Sequence, residues 1–567
     1  MKKTMKNGKV TRREFIGTTA KAAAAVTVAG AVSTMAVGCS AKPRPDTGEG
    51  PADLVITNGL VYDGSGSEPK KVDIAVRGDR IVTVGQQVTV APGVKIIDAV
   101  GKTVTPGFID VHTHCDLTFK RTGWKRHLAR VISSWKGNHN YLYQGVTTVV
   151  TGNCGYGYTD TEKWYAIAES VGFGTNVAHL IPHGILREDL FGEEAQPKKL
   201  TAAQLDRMRS RVAEEMGKGA FGMSSGLEYA PGCLVENAEL ISLAKVVGRY
   251  NGLYTSHIRD ESGKICDNGK HAVINAMEET IAVAREAGVP VEISHLKISA
   301  PIAGTPPAML LETIEKARAE GLNVNADQYP YAAGSTVLTF LAPNEMKTAS
   351  GIKAKYKTPE GRKQIEAAIK EVFAYAPPEK TLITMYDEKE EYEGKTLAEI
   401  GEIEGRSAAL SFVDMACEDN PPMAVFFFQD MDVVKALMPR DFIITASDGW
   451  TNPKNMGKPH PRVYGTFPRK LRRFVMDDKL MALSLAIRSM TSLPAEKFGI
   501  AKRGRIAEGY FADIAVLDMD RIGDHATYTD PHRNSTGIDH LLVNGVLSIE
   551  NGLATGDRSG YALRRNT

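Results

Sequence analysis

The side chains with the greatest chemical reach in this chain are four histidines, a cysteine and an aspartate. They are His112 and His114 in "DVHTH", Cys154 in "TGNCG", His257 in "SHIRDE", His295 in "SHLK" and Asp448 in "ASDG". Imidazole, thiolate and carboxylate are donors that suit zinc, whereas magnesium or calcium demands mostly oxygen. Any one of these histidines alone fits a hydrogen-bonded structural residue. Cys154 alone fits a disulfide, a nucleophile, a metal ligand or filler. Their positions make the set informative, because each follows a short apolar run that reads as a strand.

Candidate strands end at "FIDVHTH", "TTVVTGNC", "NVAHLIPH", "GMSSGLE", "LYTSHIR", "VEISHLK", "NVNADQY" and "FIITASD". Helical segments lie between them. One opens with Thr201 and Gln204 at capping-box spacing, and "AMLLETIEKARAEG" closes on a glycine. Strand followed by helix, repeated about eight times, predicts an α/β fold built on a TIM-like (β/α)8 barrel with its active site at the C-terminal strand ends. Alternation along a strand turns His112 with His114, His257 with Arg259, His295 with Lys297, and Asp327 with Tyr329 toward that mouth.

Alternating segments such as "VDIAVRGDRIVTVG" near one end and "DHLLVNGVLSIENG" near the other share one character. They predict a small β-sandwich domain from both chain ends, residues 52–104 and 502–567. The barrel then spans 105–501, with a Lys- and Glu-rich insertion at about 344–430. The first residues carry a basic head with Arg12 and Arg13, an apolar run from Ala22 to Val37, and small residues before Cys39. Residues 1–38 read as an export signal cleaved before Cys39, and 39–51 as a tether. "TRREFI" resembles the twin-arginine signature and "AVGC" a lipoprotein box, with Ala36 where a larger aliphatic is more usual. The apolar run is shorter than the roughly 20 residues of a membrane span. The expectation is an exported protein, periplasmic or on the cell surface, touching membrane only through a lipidated Cys39. The other cysteines, Cys115, Cys154, Cys233, Cys266 and Cys417, are odd in number and make a poor disulfide framework. With 567 residues, 43% hydrophobic and 24% charged, the chain reads as globular and large enough for a barrel with accessory parts. A net charge of +2 without a basic patch argues against nucleic acid.

In "PGFIDVHTH", "GVTTVVTGNCG", "GMSSGLEYAPG", "YTSHIRDE", "EISHLK", "DQYPYAAGST", "TASDG" and "HPRVYGTFPR", taken in order from Pro106 onward, the chain resembles the amidohydrolase superfamily. Within it, the resemblance is to the D-aminoacylase (N-acyl-D-amino-acid deacylase) group. That resemblance implies a zinc ion held tightly by Cys154, His257 and His295. It implies a second, weaker position at His112, His114 and Asp448, with the sulfur open to both. Many superfamily members place a carboxylated lysine on the fourth strand; "GMSSGLEYAPG" has none, so the bridging role passes to Cys154. The implied reaction is hydrolysis of a small-molecule N-acyl-D-amino acid to a carboxylate and a free D-amino acid. Asp448 is the implied catalytic proton shuttle, and Lys297, Tyr329, Ser335 and Arg462 hold the substrate carboxylate. The rival readings are hydrolysis of a cyclic amide or a D-residue dipeptide, and a non-catalytic lipid-anchored binding protein. Among neighbouring residues, His183 reads as structural and Glu228 as either pocket wall or scaffold. Arg259, Asp260 and Glu261 read as a network around His257, and the remaining cysteines as packing.

Overall fold

The computed structural model describes residues 44–48, 50–120, 133–192, 199–299, 304–342, 349–452 and 456–565. The expected export signal, Cys39 and the start of the tether lie outside these residues. Among the described residues no helix is long and apolar enough to cross a membrane.

The barrel is one sheet of eight strands. In chain order these are β1 Phe108–Asp110, β2 Val146–Thr151, β3 Asn176–Pro182, β4 Gly222–Gly226, β5 Leu253–His257, β6 Val291–Ile293, β7 Val324–Gln328 and β8 Ile443–Thr445. Every neighbouring pair from β1 to β8 is parallel. Each strand coincides with one of the eight segments read from the sequence, β2 starting one residue ahead of its own at Val146. Both faces of such a sheet are covered, so β2 and β3 are buried at every position. The seam between β1 and β8 closes just beyond the strand tips. There His114 N donates to Gly449 O (2.7 Å) and Asp448 N donates to His112 O (2.9 Å). The last bonds of the barrel are therefore made by the residues that could do chemistry.

Outer helices bury their apolar stripes on the strands. Met208, Val212, Leu240, Met277 and Leu310 pack with Met223, Tyr254 and Val291 in one continuous core. The helix Ala202–Gly217 begins with the reciprocal capping box of Thr201 and Gln204.

Between β7 and β8 the chain builds an antiparallel sheet of Gly334–Val337, Met423–Phe426 and Thr381–Met385. Four helices, Ala349–Tyr356, Pro359–Val372, Leu397–Glu404 and Ala408–Ala416, accompany it. Ile365, Ile369, Phe412 and Phe426 give this unit its own core. Its first strand, Gly334–Val337, lies upstream of the Lys- and Glu-rich stretch.

Strands from both chain ends share the remaining sheets. Thr103–Pro106 pairs with Ile514–Leu517, more than four hundred residues away in the sequence. Leu54, Ile74, Val104, Ile514 and Leu542 meet between this sheet and the four-stranded one. This is the small β-sandwich, and its strand Thr103–Pro106 runs almost directly into β1, so the sandwich anchors the start of the barrel.

Candidate active site

Cys154 stands in a turn whose backbone its neighbours dictate. β2 ends at Thr151, and Gly152 follows at φ +80°, where a Cβ would lie 2.1 Å from Leu180 O. Gly226, at the tip of β4, would likewise drive a Cβ to 2.1 Å from Cys154 O. These two glycines let the turn drop into the barrel mouth. Cys154 itself has φ +53°, His295 +34° and Asp448 +50°. Left-handed backbone is uncommon for residues other than glycine and is tolerated where the surroundings enforce it, most often at functional sites. Three such residues from three different strand ends meet here.

Their donor atoms converge. Cys154 Sγ lies 3.2 Å from His112 Nε2 and 3.6 Å from His295 Nε2. His114 Nε2 is 3.2 Å from Asp448 Oδ1, and His112 Nε2 is 3.7 Å from the same oxygen. The rings of His257 and His295 are 4.5 Å apart. Three sets each keep their donor atoms within 4.8 Å of one another: His112, Cys154 and His295; His112, His114 and Asp448; His257, Glu261 and His295. All are buried except His114, which is half-buried. The donors of the sequence-derived set thus come together, although the sulfur sits nearest His112 and His295. His257 turns Nε2 to Glu228 Oε2 at 3.1 Å and leaves its buried Nδ1 with no hydrogen-bond partner.

The electrostatics follow from packing so many polar groups out of water. Burial alone would raise the Cys154 thiol, but the charge and hydrogen bond of His112, with bonds from His114 and His257, hold it well below its ordinary value. Burial opposes protonation of His114 and His257, yet Asp448 lifts the first to about 9, and Glu261 with Cys154 and Glu228 lifts the second to about 9. Burial would also raise Asp448, but the Arg462 guanidinium, then His114, hold it far below the usual carboxylate range. A soft thiolate, several imidazoles, a carboxylate and an orphaned buried imidazole nitrogen form a donor set that fits a zinc-type ion.

The expected substrate-holding residues reach the same mouth. Arg462 donates from Nη2 to Asp448 Oδ2 (2.9 Å) and to Ser335 O (3.1 Å), and its guanidinium lies 4.6 Å from the Tyr329 ring centroid. Its buried Nε and Nη1 have no partner, and neither has Ser335 Oγ. Lys297, implied by the resemblance to help hold the substrate carboxylate, is engaged within the protein. Its Nζ is bonded to Glu261 and lies 2.8 Å from His295 Nδ1.

Arg259 is a correction. Alternation turned it to the mouth with His257, but β5 stops at His257, and the guanidinium instead binds Glu279 and the carbonyls of Cys233 and Val235. Of the network expected around His257, Glu261 is in contact, at 3.8 Å from Nε2 and 3.1 Å from His295 Nδ1. Asp260 instead accepts from Ser262 N. Glu228 touches His257 rather than serving only as scaffold. His183 is bound to Glu239, with Arg187 on the same carboxylate, away from the cluster. Among the described residues, Cys115, Cys233, Cys266 and Cys417 form no disulfide.

Two residues take roles that the sequence reading left unassigned. Asp327, which alternation turned to the mouth, has Oδ1 accepting from the backbone N of His295 (2.8 Å) and lying 3.4 Å from His112 Nδ1, so it steadies the turn at His295 and the ring of His112. A lone acid in "NADQY" was the signal. Tyr229 packs its ring 4.7 Å from that of His257 and donates to Thr336 Oγ1 (3.1 Å), joining the barrel to the inserted sheet.

The amidohydrolase family profile matches residues 95–302 and 415–549. The chain belongs to the amidohydrolase family. This amidohydrolase is 33% identical over 538 residues to an N-acyl-D-glutamate deacylase of Alcaligenes xylosoxydans xylosoxydans, covering 91% of this chain and 97% of the relative. It is 31% identical to the D-aminoacylase of the same organism, over 91% of this chain and 98% of that one. Among solved structures, the amidohydrolase aligns with the N-acyl-D-glutamate deacylase of Bordetella bronchiseptica, complexed with zinc and a phosphonate mimic of the tetrahedral intermediate. There the TM-score is 0.74, at 32% identity over 91% of this chain and 100% of the other. The amidohydrolase is accordingly an enzyme of the D-aminoacylase group, acting on carbon–nitrogen bonds other than peptide bonds.

Proposed function

We propose that this enzyme hydrolyses the amide bond of N-acyl-D-amino acids with zinc. The metal's ligands in this reading are Cys154, His257 and His295, with a second, weaker position at His112, His114 and Asp448 that shares the sulfur. The observation that carries the reading is the convergence of Cys154, the histidines and Asp448 beside Arg462, whose Nε and Nη1 are buried and unengaged. When bound, zinc makes hydroxide available near neutral pH and polarises an amide carbonyl. The remaining work falls to the chain. Asp448, ionised and held by Arg462, accepts the water proton at a carboxylate oxygen and returns it to the departing amine. Arg462 offers the substrate carboxylate a charge-assisted hydrogen bond from its unengaged Nε or Nη1. Tyr329, Ser335 and Lys297 line the same recess. Glu261 beside His257 and His295, and Asp327 beside His112, keep these imidazoles from rotating, as carboxylates beside ligating imidazoles do.

The relatives' activities support the choice of D-amino acids, and the unengaged guanidinium nitrogens of Arg462 favour a linear substrate with a free carboxylate over a cyclic amide. The basic head and the small residues before Cys39 support export and lipid anchoring of the catalytic unit.

Amine release from N-acetyl-D-methionine and N-acetyl-L-methionine, measured on zinc-loaded and chelator-stripped protein, tests the proposal. Zinc-dependent turnover of the D-isomer alone is expected. Preference for the L-isomer, or equal rates after stripping, contradicts it.

A further inference from the structure

The cluster opens on two unlike chambers. A small one, about 40 Å³, is lined by Lys297, Tyr329, Gln429 and Glu261. A larger one, about 440 Å³, is walled by Leu117, Tyr156, Val337, Met385, Met423 and Trp450. Asp448, Arg462, His295 and Ser335 stand between them, lining both. Met385 and Met423 come from adjacent strands of the inserted sheet, where they pair directly.

Charge in this mouth is almost fully committed. Lys297 is bonded to Glu261, and Arg462 gives Nη2 to Asp448, leaving donors for one carboxylate. Among the described residues lining the larger chamber, the basic groups are Arg462 and the two cluster histidines, His114 and His295. An N-acyl-D-glutamate would bring a second carboxylate, which would have to enter the apolar chamber without a partner. Moving an ionised carboxylate out of water in that way is strongly unfavourable.

We infer that the larger chamber receives an uncharged, apolar chain of the substrate, and that Met385 and Met423 set the preference for it. Flexible thioether side chains adapt to apolar chains of differing shape. This inference rests on the N-acyl-D-amino-acid reading, yet departs from the acidic side chain named for the N-acyl-D-glutamate deacylases that the chain resembles. The apolar chain can sit on the amino acid or on the acyl group, and the test separates these sources.

The experiment measures kcat/KM of the zinc-loaded full chain on two series. One varies the side chain, as N-acetyl-D-alanine, N-acetyl-D-norleucine and N-acetyl-D-glutamate; the other lengthens the acyl group on D-alanine from acetyl to hexanoyl. In at least one series kcat/KM is expected to rise about fourfold for each methylene buried. Where the side-chain series carries the rise, N-acetyl-D-glutamate is expected to lag N-acetyl-D-norleucine by at least about 100-fold. Met385→Lys and Met423→Lys, made separately and checked for folding by circular dichroism, are expected to narrow that gap at least tenfold. The absence of chain-length dependence in both series overturns this inference alone, as does a dependence confined to the side-chain series in which N-acetyl-D-glutamate matches or exceeds the norleucine substrate. No turnover of any N-acyl-D-amino acid overturns both the inference and the activity on which it rests.

Discussion

Arg462 and Asp448 form a buried ion pair, Nη2 to Oδ2 at 2.9 Å, directly beside the histidine and cysteine cluster. One guanidinium thereby holds the expected proton shuttle with one nitrogen and keeps two buried nitrogens, Nε and Nη1, unengaged.

Arg462→Lys separates these duties. Lysine keeps the charge but cannot offer the planar fork. KM for an N-acyl-D-amino acid is expected to rise about 10- to 100-fold, the loss of a charged hydrogen bond of about 1.5–3 kcal/mol. A fall in kcat is expected as well, because Asp448 loses its fixed partner. Steady-state kinetics with circular dichroism as a check on folding decides it; an unchanged KM removes Arg462 from substrate binding.

Asp448→Asn preserves shape and removes the base. The expected loss is about 10²- to 10⁴-fold in kcat, the usual worth of a positioned proton carrier. Metal analysis of the same variant should still find ion at the Cys154 position. Full activity would take the proton shuttle away from Asp448.

Much of this arrangement was legible in the sequence, for definite reasons. β1 to β8 are short runs closed by polar tips, a pattern that period and turn chemistry reveal, and the capping box at Thr201 and Gln204 forms as read. The cluster residues could be named because thiol, imidazole and carboxylate recur at strand ends. What alternation could not supply was the backbone beyond each tip. His295 and Asp448 reach the cluster through left-handed conformations, and Arg259 leaves because its strand has already ended. The ion pairs that consume Lys297 and Arg462 join residues of different loops and elements at neither helix nor strand spacing, and no local pattern encodes such pairings. The larger chamber likewise needs Met385 and Met423 brought over the mouth by the inserted sheet.

Glu261 and Lys297 provide a stability test. Both are buried, and Glu261→Gln leaves the ammonium without a counter-charge, a loss of about 3–5 kcal/mol. Burial would raise the Glu261 carboxyl, but Lys297, then His257 and His295, hold it well below the usual range. A lowered carboxylate value means the unfolded chain takes up the proton first. The contribution of Glu261 is therefore fully present above the ordinary carboxylate range and is lost as pH falls toward its folded value. Urea denaturation across pH is expected to show a gap between wild type and variant that is constant near neutrality and closes in acid.

Lys470 gives the opposite slope. Its Nζ is bonded only to the hydroxyls of Thr445 (2.6 Å) and Ser489 (2.7 Å), and burial lowers it to about 7. Between that value and its ordinary 10.5 the unfolded chain binds the proton and the folded chain does not, so stability rises with pH across this window. The stability of wild type relative to Lys470→Met is expected to grow by about 1.4 kcal/mol per pH unit from neutral upward. A difference that does not change with pH contradicts a neutral Lys470.

The most direct test of the metal centre is zinc K-edge X-ray absorption on the zinc-loaded protein, beside Cys154→Ser. The expected spectrum contains a sulfur shell at about 2.3 Å together with nitrogen and oxygen neighbours at about 2.0–2.2 Å, and the sulfur shell disappears in the variant. A wild-type spectrum with only nitrogen and oxygen neighbours, or a sulfur shell that survives in Cys154→Ser, contradicts the account.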